Sequence, residues 1–146
     1  MEGISIAAMD SKEQSYHLVN IMFLLMIVAI FCYSLIFRGD NHPIPAIFTE
    51  VTGEIPPSKG LSESFSEIVR GNFTDAARIN PHGLRIFAFF AFQMLLRVFF
   101  SLSVRLKPDR ILSLAIADAI VSLTLFLWCF APLISYTLKL FGSIVG

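Results

Sequence analysis

Three stretches of the chain run for about 20 positions with few polar residues, the length that crosses a bilayer core of roughly 30 Å. Leu18 to Phe37, "LVNIMFLLMIVAIFCYSLIF", carries no charge. Leu84 to Val104, "LRIFAFFAFQMLLRVFFSLSV", is interrupted by Gln93 and Arg97, and Ile111 to Ala131, "ILSLAIADAIVSLTLFLWCFA", by Asp118. Each predicts a transmembrane helix, so the expected fold is an all-α integral membrane protein with three spans. A secretory signal peptide is the rival reading of the first stretch. The polar head at residues 1–17 holds Asp10 and Glu13, and no small-x-small cleavage site follows, which favours a retained helix.

Residues 38–83 join spans one and two and contain Pro43, Pro45, Pro56, Pro57 and Pro81. A structureless loop of that length is uncommon. "SFSEIVRG" matches a capping box from Ser64 to Glu67, sets Phe65, Ile68 and Val69 near one face, and stops at Gly71. "TDAARI" opens on Thr74 and Asp75, good N-terminal residues. Asn80 suits an N-cap and Pro81 a first helical position, so "NPHG" predicts the start of span two. Such short helices need support. The expectation is a cap of short amphipathic helices on the membrane surface or against the spans, with a loosely ordered loop as the simpler alternative.

"RLKPDR", Arg105 to Arg110, is too short for a domain and makes spans two and three an antiparallel hairpin. Pro132 should bend or end the third helix. That leaves residues 132–146 as a tilted or interfacial segment, with Trp128 and Tyr136 as interface anchors.

The polar residues inside the hairpin form a pattern. Arg97 and Asp118 are equidistant from the centre of the turn, which puts both roughly 15 Å into their helices. The same mirror relation pairs Gln93 with Ser122. Gln93, Arg97 and Ser101 recur every four residues on one helix face, as do Asp118 and Ser122 on the next. A charge at mid-membrane is costly, and an opposite partner lowers that cost. The first reading is a salt bridge that sets the hairpin's register. A proton or ion path, or charges facing a partner subunit, are the alternatives.

Composition narrows the chemistry. The chain of 146 residues is 55% hydrophobic and 15% charged with a formal net charge of zero, which gives no electrostatic footprint for nucleic acid. Fifteen phenylalanines supply packing surface and no reactive group. Cys32 and Cys129 fall within apolar runs and read as packing residues. His17, His42 and His82 fall outside the spans, and no His/Cys grouping has metal-site spacing. Glu63 and Glu67 are one turn apart, but a wet helix face explains them better than a cation site. Glu50 and Glu54 add to a mildly acidic loop, and no glycine-rich loop suited to phosphate is present. No catalytic group, metal site or cofactor is implied.

The segment His42 to Leu84 resembles a family of small, uncharacterised bacterial inner-membrane proteins defined by a CPxCGxTR motif after the first span. Gly60, Leu61, Ser62 and Phe65 match the motif's tail; Gly71, Asn72, Phe73, Ala76, Asn80, Pro81 and Gly83 match the family's positions between the motif and the second span. The motif's two cysteines fall on Pro56 and Lys59, and its arginine on Glu63. Proline and lysine can neither bind metal as thiolates nor exchange disulfides. The resemblance therefore implies a retained scaffold without its reactive groups, in a bacterial inner membrane.

The leading expectation is an accessory or assembly subunit of a larger membrane complex, with membrane lipids and other membrane-protein subunits as partners. Two alternatives stand beside it. One is a lipid-handling enzyme using Lys59, Arg70, Arg78 or His82 beneath the cap. The other is a transport component centred on Arg97 and Asp118. The dense cationic turn Arg105, Lys107, Arg110 favours a cytoplasmic N-terminus and turn, although Arg38, Arg70, Arg78, Arg85 and Lys139 lie at the opposite ends.

Overall fold

The structure of the chain is a computed structural model, which describes residues 11–37 and 56–145. The first ten residues of the polar head, and Arg38, His42, Pro43, Pro45, Glu50 and Glu54 of the connecting loop, lie outside the described residues. Helix α1 spans Ser11–Ile36, α2 Leu61–Ile68, α3 Phe73–Ile79, α4 Gly83–Leu106 and α5 Ile111–Val145. A single 3₁₀ turn, Pro108–Arg110, joins α4 to α5. The three long helices are long and apolar enough to cross a membrane, and the two short ones lie in the loop between the first and second.

Helix α4 is central: α1 packs on one side of it and α5 on another, while α2 and α3 pack together and cap its N-terminal end. The buried apolar core sits at that capped end. Phe65 and Ile68 of α2, Ala76 of α3 and Ile86 of α4 form it, and Ile30 of α1 and Phe130 and Leu133 of α5 pack against them. All three long helices therefore contribute to one core together with the loop. Aromatic pairs bind the layers, with Phe65 and Phe87 edge-to-face at 5.3 Å and Phe31 and Phe87 at 5.0 Å.

Local details depart from the sequence expectations in instructive ways. Ser64 does not cap α2. The helix starts three residues earlier, after Gly60, whose φ of 73° is a left-handed conformation that favours glycine. Ser64 is instead fully buried, and its hydroxyl donates to the Ala76 carbonyl at 2.9 Å, tying α2 to α3. The end of α2 is a Schellman motif: Gly71, with φ of 84°, donates to Ile68 O at 2.9 Å and Asn72 donates to Glu67 O at 2.9 Å. Helix α3 begins at Phe73, just ahead of the expected Thr74, with Asn72 at its N-cap.

Asn80 is not the N-cap of α4 and Pro81 is not its first residue: His82 is the N-cap, and Asn80 closes α3 instead. Its backbone is extended, as the residue before proline requires. Its side-chain oxygen accepts from the His82 amide at 2.8 Å, while its side-chain nitrogen donates to Pro57 O and Lys59 O, each at 2.8 Å. That one residue staples the start of α4 to the segment ahead of α2. Pro81 follows it in the turn, and α4 proper starts at Gly83.

Pro132 does not end the third helix, which continues through it to Val145, so residues 132–145 are not a separate segment. Proline removes one backbone donor, leaving the Trp128 carbonyl without its usual partner four residues on. Inside a membrane protein such a gap is tolerated when neighbouring groups support the helix. Here Leu133, one residue later, packs on the cap core, and Ser135 Oγ donates to the Ala131 carbonyl at 2.6 Å.

Candidate functional site: a polar cluster between the spans

The turn closes α4 and α5 into an antiparallel pair, which brings Arg97 opposite Asp118 and Gln93 opposite Ser122. Arg97 and Asp118 are 8% and 4% exposed, so both are buried between the helices. The guanidinium grips the carboxylate as a fork. Nη1 donates to Asp118 Oδ2 at 2.9 Å, and Nη2 donates to Asp118 Oδ1. A bidentate pair of this kind fixes both distance and orientation. Nη2 also donates to Ser122 Oγ at 2.8 Å, and Ser122 lies within 3.3 Å of Gln93 Oε1.

Helix α1 completes the cluster, and the hairpin's spacing alone gives no hint of it. Tyr16 OH donates to Asp118 Oδ2 at 2.7 Å, and Asn20 Oδ1 accepts from Arg97 Nη1 at 2.8 Å. Asn20 is buried at 3% exposure. The end of the polar head, from Ser11 to His17, belongs to α1. The sequence does hold one signal: Tyr16 and Asn20 are one turn apart, and Asn20 is the one amide inside an otherwise apolar span. A scan for charge alone passes over that amide.

His17, which hydropathy leaves outside the span, lies in α1 and reaches Ser101 Oγ of α4 at 2.7 Å, with Glu13 Oε1 at 3.7 Å from its other nitrogen. Two polar rungs thus link α1 to the hairpin, one at His17 and one at Tyr16 and Asn20. The carboxylate of Asp118 receives four donors, two from Arg97 and one each from Tyr16 and Ser122. That matches the roughly four lone-pair positions a carboxylate offers. Three buried nitrogens at the cluster's edge have no acceptor among the described residues: Asn20 Nδ2, Gln93 Nε2 and Arg97 Nε.

Toward the cap the cluster ends in aromatic packing. Phe89 stands edge-to-face to Phe130 at 5.2 Å and to Phe90 at 5.3 Å, and Phe126 stacks on Phe130 at 4.8 Å. A cavity of about 430 Å³ lies over α4 where α1 and α5 part, with Phe23, Phe89 and Phe126 on its walls and Gln93, Arg97 and Asp118 on its floor.

The loop's basic residues do not meet at one point. Lys59 and His82 border a cavity of about 480 Å³ under the cap, beside Asn80 and Tyr136. Arg70 instead caps the end of α1, donating to Ser34 O at 3.1 Å and Leu35 O at 2.8 Å. Arg78 is exposed beside Asp75 at 3.6 Å. Glu67 accepts from Asn72 Nδ2 at 2.6 Å, while Glu63 borders the cap cavity. Among the described residues, no three His, Cys, Asp or Glu side chains come together as a metal-binding group.

Of the loop positions, Gly60, Gly71, Asn72, Asn80 and Gly83 have structural duties, while Pro81 is exposed in the turn ahead of α4. Gly83 lies so close to α2 that a Cβ there would collide with Ser64 Oγ and stand 2.8 Å from Ser64 Cβ. A Cβ on Gly60 would stand 2.9 Å from Ile79 Cγ2. The chain matches no known protein family, no curated protein and no solved structure.

Proposed function

We propose that this protein is a non-catalytic accessory or assembly subunit of a larger membrane complex. The observation that carries the reading is the saturation of Asp118. Its carboxylate is consumed by Arg97, Tyr16 and Ser122 of the same chain, so the intramembrane charges hold this protein's own helices together. A transported proton or ion needs a succession of groups able to exchange it. Here the cluster meets stacked phenylalanines on its cap side, which argues against the transport reading. Lys59 and His82 share the cap cavity, but Arg70 is held on the carbonyls of α1 and Arg78 is exposed beside Asp75, which argues against a headgroup enzyme that uses all four.

The lipid-depth face of α5 is the surface we assign to partner subunits. Leu112, Ile116, Ile120, Leu127 and Trp128 are all exposed along it. On the loop resemblance the membrane is a bacterial inner membrane, and the loop is the scaffold of that family kept without its thiols. The orientation we favour puts the N-terminus and the turn in the cytoplasm. Arg105, Lys107 and Arg110 are exposed at the turn, whereas Arg70 and Arg85 on the other side are engaged internally, Arg85 over the Trp128 ring at 4.9 Å.

Native mass spectrometry of the protein released gently from its own membrane tests the reading. Other chains at fixed stoichiometry, in a particle well above 16.3 kDa, are expected. A lone monomer or a homo-oligomer refutes it.

A further inference from the structure

The groove between α1 and α5 has a chemistry that the salt bridge does not explain. Its walls are aromatic and aliphatic, and its floor ends on the Gln93 amide, which is 7% exposed with its nitrogen lacking an acceptor. Arg97, whose Nε also has no acceptor, borders the same space. Buried donors without acceptors are expensive, the more so at lipid depth. An apolar pocket of a few hundred Å³ with a few unfilled polar groups is the usual form of a small-molecule site.

Three properties define the ligand that would fit. Gln93 lies midway between Leu84 and Val104, roughly 15 Å from either end of the span. Phospholipid carbonyls stay at the edge of a hydrocarbon core roughly 30 Å thick, so they do not reach it. The ligand's polar group must therefore travel to mid-bilayer. Arg97 and Asp118 neutralise each other, which leaves no net charge to attract an ionic head. The groups left without a partner in the groove are the Gln93 Nε2 and Arg97 Nε nitrogens, both donors, so the ligand must offer an acceptor. A neutral carbonyl compound with a flat ring, to lie among Phe23, Phe89 and Phe126, meets all three conditions.

We infer that the groove between α1 and α5 binds an isoprenoid quinone, with a ring carbonyl accepting from the Gln93 amide nitrogen and the tail leaving along the aromatic walls into lipid. Binding only is assigned. This inference does not rest on the accessory-subunit reading, since a monomer would carry the same groove.

A decyl-substituted benzoquinone is the probe, titrated against the full chain in lipid nanodiscs. Bound quinone is counted by native mass spectrometry and followed by quenching of Trp128, the one tryptophan. Saturable binding of one quinone per chain is expected. Gln93→Leu should weaken it about tenfold, the equivalent of one hydrogen bond. Ala119→Trp should abolish it by filling the groove from the exposed side of α5. Farnesol, a prenyl alcohol with no flat ring to lie among Phe23, Phe89 and Phe126, should compete poorly. Non-saturable uptake by the wild-type protein overturns the inference, as does equal affinity in both variants or competition by farnesol at equal concentration. If either variant fails to fold by circular dichroism, the other variant and the farnesol competition on wild type still decide.

Discussion

Asp118 shows how much one buried residue can hold. Removing its charge while keeping its shape leaves Arg97 ionised, buried and without a counter-ion, a change that costs about 3–5 kcal/mol where it has been measured in other proteins. Asp118→Asn is therefore expected to lower the unfolding midpoint in detergent sharply. Replacing both charges with apolar residues, Arg97→Met with Asp118→Leu, is expected to cost less than either single change, because no unpaired charge remains. Chemical unfolding followed by Trp128 fluorescence checks both. A double variant as unstable as Asp118→Asn would mean that Tyr16 and Ser122, and not the ion pair, carry the cluster. Tyr16→Phe gives the size of that share directly, with an expected loss of about 1.5 kcal/mol for one hydrogen bond to a charged group. The hairpin half of this site is legible from the mirror spacing of Arg97 with Asp118 and Gln93 with Ser122 about the turn. The α1 half is not, because Tyr16 and Asn20 meet residues some eighty to a hundred positions away, and no local periodicity records which face of a span meets which neighbour.

Among the elements, the short helices of the loop owe their stability to their surroundings. Helices this short are marginal alone. What holds α2 is the close approach of Ser64 to Gly83 and the Arg70 side chain on the carbonyls of α1. Gly83→Ala would force Ser64 aside and is expected to cost about 1–3 kcal/mol, the range for overpacking a filled site. Since even Ser64 Cβ lies within 2.8 Å of the added carbon, Ser64→Ala should not relieve the clash, whereas Ser64→Gly should cost less in the Gly83→Ala background than in the wild type. A double-mutant cycle on thermal midpoints measures this. Arg70→Met is expected to loosen the join of cap and span and to raise the rate of limited proteolysis between α2 and α3. The existence of these helices, and the stop at Gly71, can be read from sequence. The start of α2 cannot: Ser-x-x-Glu imitates a capping box, but the serine's partner is a carbonyl in α3, and the true start is set by Gly60, whose left-handed φ no pattern of apolar residues reveals.

At the scale of the molecule, three helices suited to crossing a membrane can be read directly from hydropathy, since length and apolarity alone identify them. The groove cannot, because it is a space between helices distant in sequence. Nor can the continuation of α5 through Pro132, because local rules treat proline as a stop and only the contacts of Leu133 with the cap show why the helix carries on. Those contacts bear on how the protein is made. Phe130 and Leu133 reach the core built by α2, α3 and the start of α4, yet they are synthesised long after it. While the ribosome is still supplying the last helix, the cap has its local turns but lacks part of its floor. Its burial is complete only when the final span has been inserted and has swung against α4. A chain cut after Ala131, which loses Leu133, is therefore expected to insert all three spans and still leave its cap open to a protease that the full-length protein resists.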